Sequence, residues 1–368
     1  MAIYKIFPNK DTTLYSSYPD KNTGLDPILE ISNKDSEATR CLVSFDTSEI
    51  VDVIDNLVDN SQWQSNLRLF NANTTGIINN STLYTYPLAQ DWNNGTGKLN
   101  DVSEVDNGAS WTWNTYNGGT LWNTASFGAY VTASFPSTIK GGGTWYTGSS
   151  TGLKYEVTQS FPIRSPKDIN LNITDIVSSW YSGSINNYGV IVKWGNNIEF
   201  NPSSSVSPQM NLFSVDTHTI YPPYLEFKWN DYSFNTGSNT NGFVPSSQIV
   251  VTFLNNKGFF NNQSIHKFRV DVRPQYPVRM FQTSSFYITN YYLPTSSYYA
   301  IKDLDTNEFI IDFDETYTKI SADSEGNYFK IFMNGLQPER YYTILVKTNI
   351  DGETLIIDNN NYFKVING

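Results

Sequence analysis

Five tryptophans fall within about one-seventh of the chain: Trp92, Trp111, Trp113, Trp122 and Trp145, with Tyr116, Tyr130 and Tyr146 beside them. Flat rings interleaved with Asn, Thr and Gly can stack on sugar faces while neighbouring amides bond the hydroxyls. The same rings suit packing of an insertion against a sheet, or an interface with another protein, where Trp and Tyr are enriched. Packing or interface is preferred here over glycan contact. Trp92, Trp111, Trp113, Trp122, Trp145 and Tyr146 are therefore the candidate ligand-binding residues, for a glycan or a protein partner.

Other chemistry is thin. Gly95-Thr-Gly97-Lys98 looks like the tail of a phosphate loop, but Leu99 replaces the required Ser/Thr and Trp92 stands where the leading Gly belongs. Asp303-Leu-Asp-Thr-Asn307 mimics the opening of a calcium loop, yet Glu308 occupies the Gly position and Asp314 the closing Glu position. Its flanks read as strands, so a hairpin turn is expected. His218 and His266 are potential bases without a nucleophile elbow of the G-x-S-x-G type. Asp91, Glu104 and Asp106 near the tryptophans are the best carboxylates for a glycosidase pair, although acids beside turns are usually solvated. No catalytic residue, metal site or cofactor is expected, and the chain is read as a non-enzyme.

Composition agrees. Of the 368 residues, 16% are charged and 15% aromatic, against roughly 25% charged in an average protein, so a disordered charged tail is excluded. One cysteine, Cys41, excludes an internal disulfide framework, and one Cys with two His leaves no credible zinc set. A net charge of −11 speaks against a nucleic-acid partner. The opening MAIYKIFPNKD lacks the apolar core of a secretory signal. No run of 18 apolar residues occurs, so no membrane insertion is expected.

The elements that must position these residues are short strands. Period-two apolar runs recur at Ile28–Ser32, Cys41–Phe45, Asn66–Phe70, Thr82–Tyr86, Tyr155–Thr158, Gly189–Trp194 and Tyr224–Trp229. Further on lie Gln248–Phe253, His266–Val272, Tyr298–Lys302, Phe309–Phe313, Phe329–Met333, Thr343–Lys347 and Thr354–Asp358. Bounded by Gly, Pro, Asn, Asp and Ser clusters, they predict an all-β protein. Two helical patches interrupt them. Thr174 to Trp180 places Ile176, Val177 and Trp180 on one face behind a Thr174 cap, with Trp180 as a core plug. Ile50, Val53, Ile54 and Leu57 also recur at helical spacing. A polar stretch at 233–245 divides a domain over 1–232, with an aromatic-rich insertion at 91–152, from a β-rich domain over 246–368.

Read in order, the first domain shows Lys10-Asp11-Thr-Thr-Leu-Tyr15, Tyr18-Pro-Asp-Lys-Asn-Thr-Gly24 and Pro27-Ile-Leu-Glu-Ile31. Cys41-Leu-Val-Ser-Phe-Asp-Thr-Ser-Glu-Ile50, Asn66-Leu-Arg-Leu-Phe70 and Asp91-Trp-Asn-Asn-Gly-Thr-Gly97 follow. Asn172-Ile-Thr-Asp-Ile-Val-Ser-Ser-Trp180 then leads into Gly189-Val-Ile-Val-Lys193. This series resembles the DNRLRE family of β-sandwich domains, found in bacterial surface, polysaccharide-processing and phage virion proteins. Trp92-Asn-Asn-Gly-Thr-Gly97, Asp106-Asn-Gly-Ala-Ser-Trp111 and Gly119-Thr-Leu-Trp122 resemble the phage structural branch. Ser297 to Lys347, with Gly326-Asn-Tyr-Phe and Asn334 to Tyr342, is similar to virion structural proteins of T4-like marine phages. Leu336-Gln-Pro338-Glu-Arg-Tyr-Tyr342 resembles the corner segment of fibronectin type III and immunoglobulin-like domains, which implies that Tyr342 bonds back to nearby backbone.

The resemblance implies an N-terminal jelly-roll-like antiparallel sandwich and a C-terminal immunoglobulin-like domain. Its functional implication is a bacteriophage virion structural protein of the tail, baseplate, collar or fibre, working as a homo-oligomer among other virion proteins. The alternative is a host-receptor or glycan-binding module of the tail, or a bacterial polysaccharide-binding surface protein.

Overall fold

The computed structural model describes residues 2–34, 37–58, 62–77, 81–123, 131–132, 141–148, 152–199, 207–238, 242–276 and 291–368. The first strands are β1 (Ala2–Ile6), β2 (Pro8–Tyr15), β3 (Ile28–Lys34) and β4 (Glu37–Phe45). Helix α1 (Thr47–Asp52) follows, running into a π-helical turn over Val53–Leu57. Next come β5 (Trp63–Leu69), β6 (Asn71–Thr75), β7 (Ser81–Pro87), β8 (Val131–Thr132), β9 (Trp145–Tyr146), β10 (Val157–Phe161) and β11 (Ile169–Asn172). After α2 (Thr174–Tyr181) lie β12 (Val190–Trp194), β13 (Gln209–Phe213) and β14 (Tyr224–Trp229). The remaining strands begin with β15 (Ile249–Phe253), β16 (Phe259–Asn261), β17 (Ile265–Pro274), β18 (Tyr298–Asp303) and β19 (Phe309–Ile311). They end with β20 (Ser321–Asp323), β21 (Gly326–Phe332), β22 (Tyr341–Ile350), β23 (Glu353–Ile357) and β24 (Tyr362–Ile366). The fold is all-β and sandwich-like, as the alternating pattern implies.

Two compact units result. One comprises Ile6–Leu57 and Gln64–Glu226; the other comprises Met1–Lys5, Val58–Trp63 and Phe227–Gly368. Two short N-terminal pieces thus cluster with the C-terminal residues, a membership that no linear reading of composition displays.

The larger unit is built on an antiparallel sheet in the order β10-β7-β12-β4-β3-β13-β6, with β2 also pairing β4. Strand β12 is hydrogen-bonded on both sides, Val192 lying opposite Thr85 of β7 and Cys41 of β4. All five of its residues are buried, Lys193 included, as expected of a strand covered on both faces. Strand β11 pairs with β5, Leu171 opposite Leu67, and alternates buried and exposed.

Helix α2 buries Ile176, Val177 and Trp180, the face that the spacing predicts. Thr174 is not its cap. Its amide donates to Asn172 Oδ1 at 3.0 Å, and its hydroxyl accepts the Ser65 amide at 2.9 Å. Already the first helical residue, Thr174 leaves the turn-forming side chain two positions earlier. In α1 the buried residue is Ile50, and Val53 opens the π-helical turn.

The smaller unit stacks the sheet β15-β17-β21-β20 against β16-β24-β22-β18-β19, with β23 pairing β22. Their facing sides interlock through rings: Tyr299 of β18 stacks on Phe329 of β21 at 4.3 Å, and Phe363 of β24 meets Phe268 of β17 at 5.7 Å. Buried rings of this kind contribute on the order of 1.5–3 kcal/mol each. Tyr342 Oη donates to the Gln337 carbonyl at 3.0 Å, the corner bond that the Leu-x-Pro segment implies. Not every pair is antiparallel: β16 runs parallel to β24, Phe260 opposite Val365.

Asp303 closes a hairpin turn between β18 and β19. Its Oδ1 accepts the Asp305 and Thr306 amides, and Arg340 Nε reaches its Oδ2 at 2.6 Å. Burial works to raise this carboxyl, but the Arg340 guanidinium and the Thr306 amide and hydroxyl together hold it below its ordinary range.

Candidate functional site

The aromatic insertion turns inward. Trp92, Trp111, Trp122 and Trp145 are at most 3% exposed and share a core with Leu14, Ala38, Leu42, Tyr86, Leu88, Ala109 and Ile191. Their polar edges are satisfied where burial demands it: Trp92 Nε1 donates to the Tyr188 carbonyl and Trp122 Nε1 to the Ser110 carbonyl, both at 2.9 Å. These four rings cannot offer a face to a ligand as the chain is folded. Trp113 and Tyr146 are half-buried, and Tyr146 leans on Tyr155 at 6.5 Å. Tyr130 lies outside the described residues.

At the centre of this core sits buried charge. Arg40 projects from β4 with its guanidinium 4.8 Å from the Trp111 ring and 5.3 Å from the Trp145 ring. Its Nε and Nη2 grip Glu199 at 2.8 and 2.9 Å, and its Nη1 donates to the Gly142 carbonyl at 2.6 Å. Planar, delocalised and weakly hydrated, a guanidinium suits such a slot. Lys193 of β12 adds a second cation: its Nζ lies 2.8 Å from Glu199 Oε2 and donates to the Trp194 carbonyl at 2.8 Å and Asn196 Oδ1 at 3.1 Å.

The glycine run Gly141-Gly142-Gly143 makes the slot possible. A Cβ on Gly142 would stand 2.6 Å from Arg40 Nη1 and 2.8 Å from the Trp111 ring, at a φ of +78°.

Burial pushes the Lys193 ammonium down to about 8, with Arg40 lowering it further and Glu199 opposing both. An unfolded lysine keeps its proton up to about 10.4. Between these values the unfolded chain binds more protons, so stability rises with pH. Relative to Lys193→Met, the native chain is expected in urea denaturation to gain stability from about pH 8 to about pH 10, a comparison that cancels the opposite trend of the buried Cys41 thiol. A native-minus-variant difference that stays constant across that window would refute the assignment.

The sequence motifs around Trp92 form a knot. Asn22 is fully buried, and its Nδ2 donates to the Asn94 and Ala109 carbonyls, both at 2.8 Å. Its Oδ1 accepts the Gly24 amide at 3.2 Å and the Gly97 amide at 2.9 Å. The two segments 18–24 and 92–97 are therefore one structural unit. Close approach requires glycine there, since a Cβ on Gly97 would stand 2.3 Å from the Asn22 carbonyl oxygen. Thr96 N goes to Asn107 Oδ1, Lys98 N to Asp101 Oδ2 and Leu99 N to Asp26 Oδ2. With its amides spent on side chains, the loop has no donor cradle for phosphate.

The remaining polar candidates are dispersed. Asp91, Glu104 and Asp106 are exposed, and Asp91 pairs with Lys10 at 3.2 Å. His218 is exposed in the larger unit. His266 belongs to the smaller one and packs on Phe260 at 4.3 Å, where burial lowers its pKa. Among the described residues no group of three or more His, Cys, Asp or Glu could hold a metal. No helix among them is long and apolar enough to cross a membrane.

What stays on the surface is a small hairpin face. Trp113 bridges to Leu121, and its Nε1 donates to Asp20 Oδ1 at 2.9 Å, fixing the indole. Leu121, and Tyr18 and Tyr116 a few residues along the chain from Asp20 and Trp113, are 47, 48 and 51% exposed. Sequence reasoning found the aromatic density but missed Arg40, Lys193 and Glu199. The available signal was a cation inside each of two otherwise apolar strands.

No family model matches the chain, and no curated protein matches it. Among solved structures, the chain is similar to the botulinum neurotoxin serotype C1 binding domain at 8% identity and a TM-score of 0.23, covering 96% of this chain and 73% of that one. A Parabacteroides merdae β-glucuronidase follows at 7% identity and a TM-score of 0.17, covering 99% of this chain and 36% of that one. A DUF4785 family protein of Legionella pneumophila stands at 10% identity and a TM-score of 0.15, covering 100% and 62%. Scores this low carry no conclusion about the chain.

Proposed function

We propose that the chain is a bacteriophage virion structural protein, a component of the tail, baseplate, collar or fibre that works in several copies as an assembly scaffold. The observation that supports this reading most is the direction of the aromatic insertion. Trp92, Trp111, Trp122 and Trp145 brace the described parts of the insertion from within, which suits a body that offers preformed surfaces to neighbours. The series of motifs shared with phage structural proteins points the same way. Mass spectrometry of purified particles, with copy number, tests it: a fixed stoichiometry of several copies is expected, and absence from the particle overturns it.

A second reading, glycan contact on the same particle, draws on the Trp113 face alone. A half-buried indole whose Nε1 is held by Asp20 is a ring that needs no ordering on binding. Trp113→Ala should then abolish retention on host polysaccharide while leaving the unfolding free energy from urea denaturation within about 1 kcal/mol of native. Unchanged retention eliminates this reading.

A further inference from the structure

Asn-Gly occurs six times, beginning at Asn94, Asn107, Asn117, Asn241, Asn334 and Asn367. In any such pair the glycine amide nitrogen can attack the asparagine Cγ, because no Cβ on the glycine obstructs the approach. Two freedoms decide whether it does. The carboxamide must be able to swing onto the following nitrogen, and that nitrogen must not be engaged as a donor.

The fold withdraws these freedoms from most of the pairs. Asn94 Oδ1 accepts the Asp11 amide at 3.1 Å, and its Nδ2 donates to the Gly24 carbonyl at 2.7 Å. Asn107 Oδ1 accepts the Thr96 amide at 2.9 Å, and its Nδ2 donates to the Thr96 hydroxyl at 2.8 Å. Gly95 and Gly108, which follow them, are both packed on the Asn22 side chain. Asn334 lies in the 3₁₀ turn Met333–Gly335, its Nδ2 donating to the Lys5 carbonyl at 2.9 Å. At the last pair, the Asn261 side chain crowds Gly368. Asn241 lies outside the described residues.

Asn117 keeps both freedoms. It is second in the turn Tyr116–Gly119, where the Gly119 amide donates to the Tyr116 carbonyl at 2.8 Å. This turn closes the hairpin in which Trp113 bridges Leu121 and the Asn114 amide donates to the Thr120 carbonyl at 2.9 Å. The Asn117 side chain is exposed and makes no hydrogen bond among the described residues. Nor does the Gly118 amide. A Cβ at Gly118 would meet nothing within 4 Å, so the pair has room to rotate.

We propose that the fold singles out Asn117 for spontaneous deamidation, ahead of the other described Asn-Gly pairs. The Gly118 nitrogen, on losing its proton to hydroxide, bonds to Asn117 Cγ. The Cγ–Nδ2 bond breaks, ammonia leaves, and a five-membered succinimide closes. Water then adds to one of the two ring carbonyls and opens the ring to an aspartyl or an isoaspartyl residue. No oxidant, cofactor or partner takes part. Each conversion places a new carboxylate at the tip of the Trp113 hairpin. The isoaspartyl form also lengthens the main chain inside the turn by one carbon, against the spacing that the Tyr116–Gly119 bond requires.

Incubating the full chain at mildly alkaline pH, then mapping its peptides with electron-transfer fragmentation to separate the isomers, tests this. The peptide carrying Asn117 should gain about 1 Da. It should do so at least about fivefold faster than those carrying Asn94, Asn107 and Asn334, each of which must first break one or two hydrogen bonds. In the urea-unfolded chain that advantage should vanish. Asn117→Gln, whose longer side chain would have to close a six-membered ring, should abolish the gain in its peptide. Conversion of Asn94, Asn107 or Asn334 as fast as Asn117 in the folded chain overturns the proposal. So does an Asn117 peptide that keeps its mass while the unfolded chain gains it. An identical ranking in urea would assign the preference to neighbouring sequence and overturns it equally.

Discussion

Replacing Glu199 by glutamine is expected to remove about 3–5 kcal/mol of folding stability, the usual cost of stripping one partner from a buried ion cluster. Glu199 forms ion pairs with both Arg40 and Lys193 at 2.8 Å. Without it, Lys193 can shed its proton, because its ammonium is already held down to about 8. Arg40 cannot. Arg40→Met should cost less than Glu199→Gln, since Lys193 and Glu199 remain as a compensated pair at 2.8 Å. Against a total stability of about 5–15 kcal/mol, the glutamine variant should be largely unfolded well below the native transition. Urea denaturation with an unchanged slope measures both. The account fails if Glu199→Gln lies within about 1 kcal/mol of native, or if Arg40→Met proves the more damaging change.

Asn22→Ala is expected to be nearly as severe, at about 2–4 kcal/mol. The side chain uses two donors and two acceptors on four backbone groups, the Asn94 and Ala109 carbonyls and the Gly24 and Gly97 amides. Truncation leaves these groups unpaired in a site that water does not reach. Asn22→Asp should be no better above about pH 5, because a carboxylate faces two carbonyl oxygens that need donors. Beyond the loss in urea midpoint, the segment 92–122 should become the first site of proteolytic cleavage. Cleavage kinetics unchanged from native would show that the knot is dispensable.

The apolar alternation made the β architecture legible, since strands such as β12, β17 and β22 announce themselves by β-branched and aromatic runs. Strand β2 did not, although its residues were prominent as a motif. Asp11, Thr12 and Thr13 are polar in composition yet buried, because Thr23 and Val215 satisfy them. Polar strands buried by hydrogen bonding carry no period-two hydrophobic signal. Strand β6 (Asn-Ala-Asn-Thr-Thr) was hidden for the opposite reason: it lies at a sheet edge, where little apolar surface is needed.

The aromatic insertion was legible in place but not in direction. Spacing located the tryptophans, but whether a ring faces solvent depends on what covers it. Gly141–Gly143 and Arg40 are separated from Trp92 by about fifty residues on either side. The ion cluster was illegible for the same reason, since Arg40 and Glu199 meet across 159 positions. By contrast, the Tyr342 corner was readable because both partners lie within six residues of sequence.

Strand β24 sits between β16 and β22, with Phe363 and Val365 wholly buried. During synthesis, therefore, the C-terminal sandwich cannot close until Ile366 has cleared the ribosome. From the emergence of β16 until then, one sheet lacks an interior strand and Phe268 lacks its partner ring. At about 5–20 residues per second, that interval lasts roughly 5–20 s. In the last part of it, once β22 has emerged, the nascent chain exposes two unpaired strand margins, and a holdase or a neighbouring nascent copy then has access to them.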